Sequence, residues 1–124
     1  MSDQSKQQAQ TDFIWSVKNG QADDVKRFIK EGINVNESVS GRPPMHHAAD
    51  GGHVDILELL VESGANVDEK DKHGMTPLLS AIFEGHKDCV EYLLSKGASK
   101  TGTAPSGQSY IECAETDEIK QLLK

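Results

Sequence analysis

Gly41-Arg42-Pro43-Pro44-Met45-His46-His47-Ala48-Ala49 is answered 33 residues later by Gly74-Met75-Thr76-Pro77-Leu78-Leu79-Ser80-Ala81-Ile82, and an eroded third copy starts at Gly107. Behind each clear copy lies a second matched block. Gly52-His53-Val54-Asp55-Ile56-Leu57-Glu58-Leu59-Leu60 corresponds to Gly85-His86-Lys87-Asp88-Cys89-Val90-Glu91-Tyr92-Leu93, and the blocks close at Gly64 and Gly97. The same frame starts earlier at Gly20 and closes at Gly32. A fixed period of this length marks stacked supersecondary units, each covering its neighbour's apolar face, rather than one closed core.

The unit beginning at Gly74 shows how each is built. Thr76 offers an N-cap hydroxyl, Pro77 a preset φ at the first helical position, and Leu78, Leu79, Ala81 and Ile82 follow at helical spacing. Gly85 ends this inner helix. A second helix carries Val90, Leu93 and Leu94 on one face and ends at Gly97. The period and the Thr-Pro-Leu start resemble the ankyrin repeat, in which the connection after such a helix projects as a hairpin, or finger. The fold expected is an all-α ankyrin-repeat solenoid of about four stacked helix pairs with hairpin fingers. Its units fall at about 11–40, 41–73, 74–106 and 107–124. The polar, Gln-rich residues 1–10 lack the apolar stretch of a secretion signal and read as a flexible leader or as an extension of the first helix.

The copies also differ in ways that predict structure. Pro43 stands where Thr76 does and offers no hydroxyl, so that helix start is uncapped. Gly32 to Pro44 is twelve steps and Gly64 to Pro77 thirteen, which predicts a different turn at the first finger tip. In the last unit Tyr110 takes the proline position, and only a short connection separates Ala114 from Ile119. The first unit places Phe13, Ile14, Trp15, Val17, Val25, Phe28 and Ile29 in its two helices.

Hydrophobic residues make up 35% of the 124, with no apolar run of the length a membrane span requires. Cys89 and Cys113 sit in different units and read as buried thiols of a reducing compartment, the cytoplasm with the nucleus as a second site. A net charge of −7 argues against nucleic acid and for a basic protein surface as partner. No nucleotide fingerprint or nucleophile elbow is present, so neither an enzyme nor a cofactor is expected. His46, His47 and His53 are too dispersed around their helices for a metal set, and with His86 they read as ties between turns of adjacent units. The run Asp68-Glu69-Lys70-Asp71-Lys72-His73 reads as a solvated finger.

Trp15 is harder to assign to a core. Aligning Gly20 with Gly52 and Gly85 puts it at the place of the polar His47 and Ser80, a position suited either to a partner anchor or to a cover for the open end of the stack. The inner helices and fingers form the expected binding face. Its positions are Trp15, Val39, Ser40 and Arg42, then Asp50, Lys72, His73 and Met75, and finally Phe83 and Glu84.

From about Asp12 to Lys124 the chain resembles the myotrophin family of small ankyrin-repeat proteins. The resemblance is carried by Phe13-Ile14-Trp15 with Lys18-Asn19-Gly20, Pro44 to Asp50, Asp71-Lys72-His73, Thr76 to Ala81, Leu93 to Ala98, and the shortened ending from Ala114 to Leu123. It implies a monomer that binds the heterodimeric actin capping protein and prevents capping of filament barbed ends. A tie to the nuclear factor κB system is also implied, and a general adaptor for such a transcription factor is the alternative. The chain departs from the family in the first finger, where Glu37-Ser38-Val39-Ser40-Gly41 is one residue shorter and Ser40 replaces an acid.

Overall fold

The computed structural model describes residues 3–124 and is helical, with eight helices among those residues and no strand beyond two isolated bridges. They are α1 (Asp3–Lys18), α2 (Ala22–Lys30), α3 (Pro44–Gly51), α4 (Val54–Glu62), α5 (Pro77–Glu84), α6 (Lys87–Ser95), α7 (Tyr110–Cys113) and α8 (Asp117–Leu122). Inner helices α1, α3, α5 and α7 pack in one row, and outer helices α2, α4, α6 and α8 in a second. Three fingers link the pairs.

Proline at the first helical position and glycine beyond the last set the inner helices. Gly52 and Gly85 take left-handed φ values of 73° and 72° as C-caps of α3 and α5, a conformation that costs glycine little. At the N-termini, Thr76 accepts from the Leu79 N–H while Pro43 supplies no side-chain cap, as their chemistry predicts. Ser109 and Glu112 form a reciprocal capping box that starts the short α7. Tyr110, at the proline position, reaches back to Thr76 through a 2.9 Å hydroxyl pair.

Ile56, Leu57, Leu60, Cys89, Val90 and Leu93 of the outer helices are all fully buried. Leu59 and Leu94 are only partly buried, at the edge of that core. Leu57 is the larger contributor. In the first unit Phe13 meets Phe28 edge to face at 5.7 Å, and Val17 and Val25 are fully buried with Phe13.

Residues 3–10 are helical, so a flexible leader is not what the described part of that segment forms; Met1 and Ser2 lie outside the described residues. Gln10 shows why the helix holds. The residue is 5% exposed, and its side-chain amide pairs with both backbone groups of Asn34, at 3.3 Å each. Asn36 repeats this downstream by accepting from the Asn66 N–H and donating to the Gly64 carbonyl, and Asp68 does so by accepting from the Ser99 N–H. Gln10 thus supplies the first rung of a polar ladder that stitches the finger bases together.

Candidate protein-binding face

The first finger closes in two residues. Val39 and Arg42 exchange backbone hydrogen bonds, while Ser40 and Gly41 both hold positive φ, 56° and 82°. This is the primed hairpin turn that a loop one residue shorter demands, and Ser40 bears its strain. The second finger uses three loop residues, with the Asp71 N–H donating to the Met75 carbonyl and Gly74 at positive φ. The third matches it, with the Ala104 N–H donating to the Gln108 carbonyl. The tips of the first two fingers are joined by the Lys72 N–H, which donates to the Gly41 carbonyl. At the corresponding place in the third finger stands Pro105, which has no N–H to give.

Asp71 corrects the reading of its run as a solvated finger. Its side chain is 1% exposed, and Oδ1 accepts from the His73 and Met75 N–H groups. Burial opposes its charge, but these N–H donors and the nearby Arg42 guanidinium hold the carboxyl below its ordinary pKa. Arg42 lies between two acids, with Nη1 2.6 Å from Asp50 and Nε 3.4 Å from Asp71. Arg42 and Asp50, both expected on the binding face, are therefore partners of each other. Asp50→Lys would remove that pair and place two cations together, so it should cost about 1–3 kcal/mol in a urea melt as well as altering any binding. An unchanged melting curve would show that the Arg42 network contributes nothing to the fold.

The histidines do tie the units. His46 is fully buried and its Nε2–H donates to the Met75 carbonyl at 2.6 Å, His53 Nε2 meets the Lys18 carbonyl at 3.1 Å, and His86 Nε2 meets that of Asp50 at 2.9 Å. Among the described residues no group of three or more His, Cys, Asp or Glu side chains is placed to hold a metal ion. His47 is half-buried in the inner row. Burial first, then the charges of Arg42 and Lys18, push its pKa down to about 4.

The positions singled out on the binding face share the inner helices and the finger tips but differ in exposure. Trp15, 58% exposed, and Phe83, 45% exposed, are the two large apolar side chains left open to solvent among the described residues. Ser40, Lys72, His73 and Glu84 are exposed, and Val39, Arg42, Asp50 and Met75 are partly buried. Ser80 is 1% exposed, so the row Trp15, His47, Ser80 runs from surface to interior. Sequence reasoning missed the inward role of Asp71, although the repeat frame held a signal. Its counterpart in the third finger is Ala104, and Arg42's counterpart one repeat on is Met75, so the acid and the arginine are absent together at that junction.

A cleft of about 340 Å³ lies between α1, the end of α2 and the base of the first finger, lined by residues including Lys6, Gln10, Phe28, Ile33 and Glu37. No helix among the described residues is long and apolar enough to cross a membrane.

A family model described as ankyrin repeats (3 copies) matches residues 13–104. Myotrophin of Xenopus tropicalis is 51% identical over 113 residues, covering 90% of this chain and 96% of that protein. Myotrophin of Xenopus laevis is 48% identical over 46 residues, 36% of this chain and 39% of that protein. The human BCL-6 corepressor-like protein 1 is 33% identical over 93 residues, which is 75% of this chain but 5% of that protein. The last match reflects a repeat shared across large proteins, whereas the first runs nearly end to end in both partners. Ankyrin repeats are protein-binding units, and this chain belongs to the ankyrin-repeat family and, within it, to the myotrophins.

Proposed function

We propose that the chain binds the heterodimeric actin capping protein through its inner helices and finger tips, and so prevents capping of filament barbed ends in the cytoplasm. The observation that carries this reading is Trp15. A large indole 58% exposed at the N-terminal end of the inner row is an anchor without a partner in the free chain. The net charge of −7 suits a capping-protein surface that is basic where it meets actin. Val39, Ser40, Arg42, Asp50, Lys72, His73, Met75, Phe83 and Glu84 complete the proposed face, with Arg42 and Asp50 acting as one paired unit.

Seeded pyrene-actin elongation in the presence of capping protein tests this. Micromolar chain should restore elongation, and Trp15→Ala should weaken the effect by about tenfold or more with its melting curve unchanged, because the indole packs mostly against solvent. If wild-type chain leaves capping unaffected at low salt, the proposal fails. Capture of a transcription factor of the nuclear factor κB kind, without capping-protein subunits, would put the adaptor reading in its place.

A further inference from the structure

Two of the three histidine ties, those of His53 and His86, also close the end of an inner helix. The His53 ring, held on the Lys18 carbonyl, lies 2.9 Å from where a Cβ on Gly20 would be; the His86 ring, held on the Asp50 carbonyl, lies 2.8 Å from the corresponding point on Gly52. The third inner helix, α5, presents the same carbonyl at Phe83 and the same glycine at Gly85. The unit after it has no such histidine, because α7 stops after four residues at Cys113 and the chain turns directly into α8. Nothing lies within 4 Å of the Cβ point on Gly85, and among the described residues no backbone or side-chain group donates to the Phe83 carbonyl. A cleft of about 210 Å³ runs from the Gly52 junction to Gly85 and the start of α6, lined by Gly52, Gly85, His86, Lys87, Asp88 and Cys89.

The surroundings say what would close this junction. Between residues 83–88 and 110–118 the chain carries six carboxylates and a single lysine, Lys87. That lysine is held by Glu118 at 3.2 Å and Glu91 at 3.6 Å, and among the described residues no ion pair is made by Glu84, Asp88, Glu115 or Asp117. Phe83, exposed, directly precedes Glu84 in the chain. An exposed apolar side chain next to the unpaired Glu84, in a segment dominated by acids and ending in a bare helix-end carbonyl, complements a cationic donor on an apolar stem.

We propose that the C-terminal end of α5 is a docking surface for a basic amphipathic segment of a protein partner, whose apolar side covers Phe83 and whose Lys or Arg donates to the Phe83 carbonyl and the acids around it. The partner segment takes the place that a histidine of the next unit holds at the two earlier junctions. This site shares Phe83 and Glu84 with the face proposed for capping protein but does not depend on Trp15, so the two can fail separately.

Fluorescence anisotropy with a labelled amphipathic Lys/Leu peptide, in about 0.1 M salt and without capping protein, tests it. Saturable binding is expected, weakened by about tenfold in Phe83→Ala and in Glu84→Lys and unchanged in Trp15→Ala. Glu58→Lys on the outer helix α4 changes net charge as Glu84→Lys does and should leave affinity within about twofold. All four positions are exposed, so the variants should fold. No saturable binding, or equal weakening by Glu58→Lys and Glu84→Lys with no effect of Phe83→Ala, would overturn the proposal.

Discussion

Leu60→Ala and Leu93→Ala are each expected to lower the free energy of unfolding by about 2–5 kcal/mol. Both leucines are fully buried, at equivalent places in α4 and α6, where each outer helix faces its neighbours. Truncation leaves a cavity that two rows of close-packed helices cannot collapse without breaking the hydrogen-bond ladder along the finger bases. Stability in a solenoid is a sum of unit and nearest-neighbour terms, and so few units have little to spare. The loss should therefore appear as one cooperative transition at lower urea, not as fraying of a single unit. Leu59→Ala, at the edge of the core, should cost clearly less. A shift of only a few tenths of a kcal/mol for Leu60 or Leu93 would mean that the packing between rows is not what holds the array together.

The parts of this structure legible in the sequence are those that every unit must repeat. Pro44 and Pro77, Gly52 and Gly85, and Ala48 and Ala81 recur because each helix start, each helix end and each close helix contact imposes the same local requirement. The shorter first finger was legible for the same reason, since removing one loop residue forces a two-residue turn. Trp15 stood out by breaking a polar column. What the pattern concealed is interaction across units by side chains that do not recur. Gln10 pairs with the backbone of Asn34, whose side chain carries no mark of it, so the sequence left leader and helix extension both open. Arg42, Asp50 and Asp71 meet across separations of 8 and 29 residues, and a charged finger run gives no sign that one of its acids turns inward. Phe83 and Glu84 looked like two surface positions among several. Only the missing end of α7 distinguishes them.

Acidification should destabilise the chain well before ordinary carboxylates titrate. His46 is buried with its Nε2–H on the Met75 carbonyl, and burial holds its pKa below the usual histidine value. His47 beside it is pushed down to about 4, by burial and then by the charges of Arg42 and Lys18, with Asp50 acting in the opposite sense. A folded-state pKa below the unfolded one means that the native state prefers the neutral ring. The associated stability is complete above an unfolded pKa of about 6.5 and declines as pH falls from there. For His47 alone the loss should reach about 1–2 kcal/mol by pH 5, allowing for its partial exposure. His46 adds to it in the same direction. Asp71, held below the ordinary carboxylate value, begins to lose its contribution only when pH falls under about 4, so acid unfolding should proceed in two ranges. Urea midpoints measured from pH 8 to pH 5 should fall, and His47→Gln, which removes one titration, should flatten that dependence while Asp71 still governs the lower range. A midpoint that stays constant between pH 7 and pH 5 would mean that the inner-row histidines accept a proton in the folded chain as readily as in the unfolded one.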